Sequence, residues 1–236
     1  MTLPAEINRA LEAARAWNRP TAEGKVRSIQ GIAIHVTGLA AAIGDVCTIH
    51  ADDGRLLIPA EVVGFNGDDA VVMALGDAHR VAPWDVVHNE HRPLSVAVGA
   101  GLLGRVVDAL GRPLDGGPEI RGKMRPLTGQ APSPLQRTPI DQPIETGVAA
   151  IDGMLTCGKG QRVGIFAGSG VGKSTLMGQI ARSSAGQVNV IALIGERGRE
   201  VGEFLTDALG PEGLQKSVVV ACTSDAAPML RTKAPM

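Results

Sequence analysis

A glycine-rich stretch in the second half of the chain has the residue types that bind phosphate groups. It reads AGSGVGKSTL, from Ala167 to Leu176. Its glycines carry no Cβ, so the backbone can turn several N–H groups inward around an anion. Lys173 can neutralise the β- and γ-phosphates of a nucleotide, and the Ser174 hydroxyl can ligate Mg²⁺. The spacing therefore predicts a site for ATP and Mg²⁺. The predicted nucleotide-binding residues are Ala167, Gly168, Ser169, Gly170, Val171, Gly172, Lys173, Ser174 and Thr175.

The residues around this loop favour a phosphate site over an ordinary glycine-rich turn. The loop is preceded by QRVGIFA, which is typical of a continuous buried strand, and followed by STLMGQIARSS, which is typical of a helix. A helix that begins near Ser174 points its positive end, worth roughly half a charge, at the phosphates. The motif usually starts with glycine, and the methyl group of Ala167 is acceptable at the end of a strand. The strand, loop and helix together are the context that the motif requires.

Phosphate binding alone does not imply hydrolysis, because a further group must orient the attacking water. The block GERGREVGEF follows VNVIALI, the next predicted strand. The carboxyl ends of parallel strands meet at the same edge of a sheet, so Glu196 is expected near the γ-phosphate. Glu200, one helical turn on, could hold a metal-bound water, and Arg197 and Arg199 could pair with these carboxylates or with a neighbouring subunit. Glutamate is also favoured at a helix start, so spacing by itself leaves a solvated charge cluster as an equal alternative.

Other polar residues are interpreted as carrying no site. Asp225 follows VVVACTS, and the polar step before it predicts a loop residue rather than an Mg²⁺-organising one. His88 and His91, in HNEH, are predicted to be solvated linker residues rather than metal ligands. The cysteines are far apart, which favours buried free thiols over a disulfide or metal framework. They are Cys47, Cys157 and Cys222.

Composition and charge exclude several classes of protein. Apolar residues form 44% of the 236-residue chain, as in a globular protein. The 23 basic and 24 acidic residues give a formal net charge of −1, which provides no attraction to nucleic acid. No apolar run approaches the roughly 20 residues that cross a bilayer, and the N-terminus lacks the continuous apolar centre of a signal peptide. We therefore expect a cytoplasmic protein.

The pattern of apolar and turn residues divides the chain into four parts. Residues 1–20 have apolar side chains at helical spacing, which predicts a short helix packed on its own domain or docked on another chain. Residues 21–92 contain short, closely spaced β-type runs typical of a small antiparallel barrel or sandwich. Residues 93–145 are rich in glycine and proline, which predicts an extended connector and the start of the next domain. Residues 146–236 alternate strands with helices, one of them ending at Gly210-Pro211, which predicts a parallel α/β sheet.

Four stretches of the chain resemble the ATPases of bacterial type III protein secretion, which are relatives of the catalytic subunits of rotary ATP synthases. They are GRVVDALGRPLDG, PIDQPIETGVAAIDGMLTCGKGQRVGIFAGSGVGKSTL, VNVIALIGERGREVGEFL and LQKSVVVACTSDAAPMLRTKA. The GERGRE block makes the likeness specific, because many unrelated phosphate-loop proteins lack it. The likeness covers nearly everything from about Gly24 onward, and IDGMLTCG and TSDAAPMLRTKA are more similar to injectisome members than to flagellar ones.

The resemblance implies a small antiparallel β-barrel followed by an incomplete α/β P-loop NTPase domain with a RecA-like parallel sheet. It also implies a homohexameric ring with active sites between subunits. ATP hydrolysis by such a ring releases secreted proteins from chaperones, unfolds them and promotes their export. The implied partners are a stator-like regulator at the N-terminal helix, a central stalk protein and chaperone-bound secretion substrates. The implied location is cytoplasmic, peripheral to the inner membrane at the secretion apparatus.

The resemblance also implies a role for individual residues. Glu196 matches the family's water-activating carboxylate, and Lys173 and Ser174 match its phosphate and Mg²⁺ contacts. Arg197 and Glu200 match supporting positions. The expected catalytic residues are thus Glu196, Lys173 and Arg197, and the expected metal-binding residues are Ser174 and Glu200.

The chain departs from the family at its end. The family continues with an Mg²⁺-organising Asp strand, an arginine supplied to the neighbouring site, an adenine-contacting segment and a C-terminal helical domain. We therefore expect the chain alone to bind Mg·ATP weakly, to turn over near background and to have an unfinished sheet edge. Two alternatives to a catalytic ATPase stay open: a non-catalytic nucleotide-binding ring subunit, and an inactive truncated fragment that only assembles. A non-catalytic subunit would be expected to replace the Glu196 carboxylate, which this chain keeps.

Overall fold

The computed structural model describes residues 23–129, 131–168 and 170–236. The predicted N-terminal helix, residues 1–20, lies outside the described residues, as does Ser169 of the phosphate loop. The chain divides into two compact units, with the boundary in the sequence between Leu94 and Ser95. The four-part division inferred above, with boundaries at 20, 92 and 145, stays a prediction.

The first unit is a closed antiparallel barrel. Its strands are β1 (Glu23–Gln30), β2 (Ala33–Thr37), β3 (Asp45–His50), β4 (Leu56–Asn66), β5 (Asp69–Ala74) and β6 (Val86–Pro93). They are hydrogen-bonded in the order β1-β2-β5-β4-β3-β6, and β6 returns to β1 to close the barrel. Closure leaves no sheet edge exposed to a second chain. The prediction of a small antiparallel barrel in this part of the chain is confirmed.

Alternating residues of the barrel strands fill its interior. Successive side chains of a strand point to opposite faces, so every second residue can be apolar and buried. The buried cluster is formed by Val26, Ile34, Val36, Leu39, Cys47, Ile49, Ile58, Ala60, Val62, Ala70, Val72 and Val87. Burial raises the pKa of Cys47 to about 12, so this thiol stays protonated at neutral pH. All three cysteines are free; Cys47 and Cys222 are buried as predicted, whereas Cys157 is only half-buried.

The prediction that His88 and His91 belong to a linker is wrong, because both lie in barrel strand β6, where His88 is half-buried and His91 is exposed to solvent. Asn89, between them, is buried, and its amide donates to the carbonyl of Ala40 and to a carboxylate oxygen of Asp45. A strand can therefore carry polar residues inward when their hydrogen bonds are satisfied. Within the described residues there is no cluster of three or more His, Cys, Asp or Glu that could hold a metal ion.

The N-terminal part of the second unit consists of short strands and turns. Its elements are β7 (Ser95–Val98), β8 (Val106–Val107), β9 (Lys123–Pro126), β10 (Pro143–Ile144), α1 (Ala149–Met154) and β11 (Cys157–Gly158). Strand β9 pairs with β7, and β10 pairs with β11. Residues 121–143, the part of the connector predicted to be extended, are exposed along nearly all of their described length, yet they contribute a paired strand, β9.

An ion pair joins Arg105, directly before β8, to Asp115 in the segment that follows β8. Arg105 donates from Nε and Nη2 to the two carboxylate oxygens of Asp115, at 2.6 and 2.7 Å. The backbone N–H groups of Val106 and Gly117 also donate to Asp115. The hydrogen bonds from the Arg105 side chain hold the pKa of Asp115 well below its ordinary value, and these N–H groups lower it further. Together they outweigh the partial burial of the carboxylate, which raises its pKa. Bidentate geometry at a largely shielded site makes this pair stronger than an ordinary surface ion pair.

We expect Asp115→Asn to lower the free energy of unfolding by about 1.5–3 kcal/mol at pH 7, the contribution of a hydrogen bond to a charged group. The folded pKa lies below the unfolded value of about 4, so the stabilisation is present above that pH and is lost as pH falls through the folded pKa. Urea unfolding at pH 7 and at successively lower pH measures the difference, which should shrink on acidification. Asp141→Asn, in the exposed connector, is the control. A difference between wild type and variant that does not change with pH would contradict the interpretation.

The C-terminal part of the second unit is a parallel sheet with helices. Its elements are α2 (Lys173–Ser183), β12 (Asn189–Ile194), α3 (Gly198–Glu203), a π-helical segment (Phe204–Leu209), α4 (Gly210–Gln215), β13 (Ser217–Cys222) and α5 (Pro228–Lys233). Strand β13 lies between β12 and β8 and is parallel to both. Leu193, Val219 and Leu209 belong to the core between this sheet and the helices. The predicted α/β sheet, incomplete in this chain, is confirmed.

The helix after β12 does not end at Gly210-Pro211 as predicted. Gly210 has φ 66°, and the chain then continues as α4 to Gln215. Proline is compatible with the first turn of a helix, because the N–H group that it lacks would have no intrahelical partner there. The pair therefore marks a break between two helical segments rather than the end of the helical region.

The predicted buried strand QRVGIFA is not a strand in the structure. Residues 161–168 have no regular secondary structure and are exposed, with Phe166 97% exposed. An apolar run forms a buried strand only where a neighbouring strand pairs with its backbone and other layers cover its side chains. No strand in the described ranges pairs with these residues, and β12 is paired on one edge only. Val190 of β12 is 75% exposed, as expected of an unfinished edge.

None of the helices among the described residues has the length and apolar character needed to span a membrane.

Candidate functional site

The N-terminus of α2 lies where the glycine-rich loop ends. Gly172 is the N-cap residue, with φ 95°, and its carbonyl accepts a hydrogen bond from the N–H of Leu176 at 2.9 Å. Gly170 also has a positive φ, 77°. A left-handed conformation is accessible to glycine at little cost, so these two positions explain the glycine spacing before the helix. The helix begins at Lys173, one residue before the predicted start.

Lys173 and Glu196 meet between α2 and the end of β12. Lys173 Nζ lies 3.6 Å from Glu196 Oε1, and the two side chains are 43% and 36% exposed. Parallel pairing makes β12 and β13 end together, at Ile194 and Cys222, and Glu196 follows the first of these ends. The end of β12 therefore places the Glu196 carboxylate near the N-terminus of α2. The sequence predicted this proximity, and the structure brings the two residues together.

Glu200 lies on the first turn of α3, four residues after Glu196. Its carboxylate accepts hydrogen bonds from the backbone N–H of Arg197 at 3.4 Å and from the Arg197 guanidinium at 3.0 Å. The backbone N–H of Arg197 lowers the pKa of Glu200, and the charge and hydrogen bond of the Arg197 guanidinium lower it further. Glu200 is therefore an ionised carboxylate at neutral pH, fixed by Arg197.

These side chains line one cavity of about 680 Å³, a volume within the range of ligand-binding sites. Of the sequence-predicted residues, the cavity is lined by Lys173, Ser174, Thr175, Glu196 and Glu200. A hydroxyl and two carboxylates in one cavity are the oxygen donors that Mg²⁺ prefers, and a lysine supplies the cation that a phosphate requires. The residues present therefore fit Mg²⁺ bound with a nucleotide.

The structure does not bring every predicted residue into the cavity. Ala167 and Gly168 are exposed, and the cavity is not lined by them or by Gly170, Val171 or Gly172. The reason is the unpaired segment before them, which gives the loop no strand to hold it against α2. Arg197, predicted to be catalytic, is 75% exposed and is engaged with Glu200 outside the cavity lining.

Sequence reasoning missed several residues of the cavity wall. Glu203 and Asp207 follow Glu200 at spacings of three and four, and all three line the cavity. Such spacing places side chains on one face of a helix, so helical periodicity applied to GREVGEFLTD would have found them. Arg182, near the other end of α2, also lines the cavity and is not indicated by any motif.

Asp225 lies in a turn, as predicted, and not at the end of a strand. The turn from Thr223 to Ala226 is closed by a hydrogen bond from the N–H of Ala226 to the carbonyl of Thr223 at 3.1 Å. A hydrogen bond from the Thr223 side chain lowers the pKa of Asp225, so the carboxylate stabilises its own turn. The same turn directs the N–H of Ser224 to the carbonyl of Glu196, at 3.0 Å.

Comparison with known families finds a match in this part of the chain. Residues 147–236 match the model of the ATP synthase alpha/beta family, nucleotide-binding domain. This stretch contains the glycine-rich loop, α2, β12 and β13, and so it contains all the residues of the candidate site.

Curated relatives extend the similarity over most of the chain. A flagellum-specific ATP synthase from Bacillus subtilis (strain 168) is 49% identical over 214 residues, which cover 89% of this chain and 49% of the relative. A type 3 secretion system ATPase from Xanthomonas euvesicatoria is 49% identical over 212 residues, covering 89% and 48%. The chain therefore spans about half the length of the curated relatives that it matches.

Solved structures of type III secretion ATPases are similar to this chain in fold as well as in sequence. The assembled ATPase EscN of the enteropathogenic E. coli type III secretion system superposes with a TM-score of 0.79 at 41% identity, covering 89% of this chain and 50% of that one. EscN in complex with its central stalk EscO gives a TM-score of 0.78 at 40% identity, covering 89% and 51%. Fold and sequence thus point to the same group of proteins.

Proposed function

Because this chain is related in sequence and fold to the N-terminal half of the flagellar and type III secretion ATPases, we propose that the full-length protein hydrolyses ATP to drive type III protein secretion. The observation that carries the proposal is the Lys173–Glu196 pair, whose polar atoms lie 3.6 Å apart at the N-terminus of α2. A cation that binds phosphate and a carboxylate that orients water and accepts its proton are two of the groups that nucleotide hydrolysis uses at one place.

In the proposed reaction the chain's own residues hold the nucleotide and activate water. Lys173 moves from Glu196 to the phosphates, where the N-terminal N–H groups of α2 add their positive potential. Glu196, released from that ion pair, orients the attacking water through its carboxylate and accepts a proton from it. Ser174 and Glu200 are the proposed holders of Mg²⁺, which neutralises developing phosphate charge when it is bound.

Arg197 has a supporting place in this proposal. Its guanidinium donates to Glu200 at 3.0 Å, which orients the carboxylate towards the cavity. The N–H groups of Gly168, Ser169, Gly170, Val171 and Gly172, together with Ala167 and Thr175, are proposed to surround the phosphates once the loop closes on them. This closure requires the segment before the loop to gain a pairing partner, since it has none among the described residues.

Partners and location are proposed from the relatives. EscN forms an assembly and binds a central stalk protein, so we propose a homohexameric ring with a stalk for this protein. A stator-like regulator at the N-terminal helix and chaperone-bound secretion substrates complete the proposed set. The protein would then act in the cytoplasm, peripheral to the inner membrane at the secretion apparatus.

The proposal is tested by measuring ATP hydrolysis and protein secretion together. Full-length protein should hydrolyse ATP in a Mg²⁺-dependent manner and restore secretion to cells that lack the gene. ATP binding without turnover, with secretion nonetheless restored, would instead identify a non-catalytic ring subunit. Assembly with wild-type subunits in the absence of nucleotide binding would identify an inactive assembly protein.

A further inference from the structure

We propose that Gly195 is a positioning residue for the Glu196 carboxylate, a role that rests on the proposed function of Glu196. Gly195 stands between the last residue of β12, Ile194, and Glu196. It has φ 75°, in the left-handed region that residues with a Cβ rarely adopt. The direction in which the chain leaves the sheet at this point decides where the carboxylate lies.

Two backbone hydrogen bonds hold the chain on either side of this turn. The N–H of Gly195 donates to the carbonyl of Cys222 at 2.8 Å, and the N–H of Ser224 donates to the carbonyl of Glu196 at 3.0 Å. Both bonds join the segment after β12 to the end of β13 and the residues that follow it. They extend the pairing of the two strands beyond its last residue pair, Ile194 with Cys222. The backbone of Glu196 is therefore fixed to the sheet, and the left-handed φ at Gly195 sets its orientation between the two bonds.

The open space around Gly195 means that a substitution there tests the backbone conformation and not steric crowding. A Cβ built on Gly195 meets no atom within 4 Å. Replacement by alanine therefore causes no steric clash, and its effect arises from the cost of the left-handed φ alone. If the chain relaxes to a negative φ, the Glu196 carboxylate moves relative to Lys173 Nζ, with which it now makes a 3.6 Å contact.

The chain offers a matched control three residues away. Gly198 is the first residue of α3, a Cβ built on it also meets nothing within 4 Å, and its φ is not positive. Gly195→Ala and Gly198→Ala thus add the same methyl group at positions three residues apart, and neither methyl group meets another atom within 4 Å. They differ in whether the backbone conformation suits alanine.

The experiment compares Gly195→Ala, Gly195→Asn, Gly198→Ala and Glu196→Gln in full-length protein. Gly195→Ala should lower kcat for ATP hydrolysis by roughly 10- to 100-fold, since a misplacement of about 1 Å can cost 10²-fold. The dissociation constant for Mg·ATP should stay within about twofold, because Glu196 acts on water and not on the bound nucleotide. Asparagine tolerates the left-handed region, so Gly195→Asn should recover part of kcat. Gly198→Ala should match wild type.

Each outcome decides the inference. Wild-type kcat in Gly195→Ala, beside a large loss in Glu196→Gln, would overturn the positioning role and leave the proposed function intact. Full turnover in Glu196→Gln would overturn both. Equal losses of nucleotide affinity and melting temperature in Gly195→Ala and Gly195→Asn would show a merely structural glycine and overturn the positioning role. A loss of kcat alone, relieved by asparagine, supports it.

Discussion

Replacement of Glu196 by glutamine is expected to lower kcat for ATP hydrolysis by roughly 10²–10⁴-fold, the usual contribution of a general base. Glutamine has nearly the same shape as glutamate and can still accept a hydrogen bond from water, but it cannot take up the proton. The loss should therefore be in turnover, and the dissociation constant for Mg·ATP should change little. Steady-state kinetics of full-length protein, with nucleotide binding measured separately by calorimetry, separates the two quantities.

The same substitution should leave the fold intact. The Lys173–Glu196 ion pair is about two-fifths exposed, and exposed pairs contribute about 1 kcal/mol or less to stability. A large loss of kcat therefore cannot be explained by unfolding. Glu212→Gln, on an exposed position of α4 away from the cavity, is the matched control and should be silent. Normal turnover in Glu196→Gln would show that another group activates the water.

Replacement of Lys173 by alanine is expected to weaken Mg·ATP binding as well as turnover. Loss of a hydrogen bond to a charged group costs about 1.5–3 kcal/mol, which corresponds to a roughly 10- to 150-fold increase in the dissociation constant. Because the lysine also neutralises charge that develops on the phosphates, kcat should fall too. This combined effect distinguishes Lys173 from Glu196, for which only kcat should change.

The control for Lys173 is another exposed lysine, one that lies outside the candidate nucleotide site. Lys123→Ala, on exposed strand β9, removes one positive charge from the same unit without touching the cavity. It should bind nucleotide as wild type does. If Lys173→Ala and Lys123→Ala weaken binding equally, the effect is one of overall charge and the phosphate-binding role of Lys173 is wrong.

Local pattern was sufficient for much of the fold. In the first unit, short β-type runs with closely spaced turns indicated a small antiparallel barrel or sandwich. The local pattern left these two architectures open, and the pairing of β6 with β1 in the structure closes the strands into a barrel. Strands β12 and β13 were likewise indicated by continuous apolar runs, and helix α2 was indicated by the residues that follow the glycine-rich loop. The proximity of Glu196 to Lys173 then followed from a general property of parallel sheets, that their strands end at one edge.

Long-range pairing was not predictable from the residues concerned. HNEH was interpreted as a linker because its composition is polar, but Asn89 is hydrogen-bonded inside the barrel to groups that precede it by more than forty residues in the chain. QRVGIFA was interpreted as a strand because its composition is apolar, but among the described residues it has no partner and is exposed. In both cases the deciding interaction lay outside the segment.

The sequence by itself predicted which residue types form the candidate site: a glycine-rich loop, a lysine, a hydroxyl and a carboxylate one strand further on. Residue type and spacing carry that information because the reacting groups are the side chains themselves. Only the tertiary structure decided how those groups are held: that Glu196 contacts Lys173, that Arg197 is engaged with Glu200, and that a left-handed turn at Gly195 directs the carboxylate. These depend on where separate strands end in space and on which backbone groups remain to be paired, and neither is encoded in a local pattern.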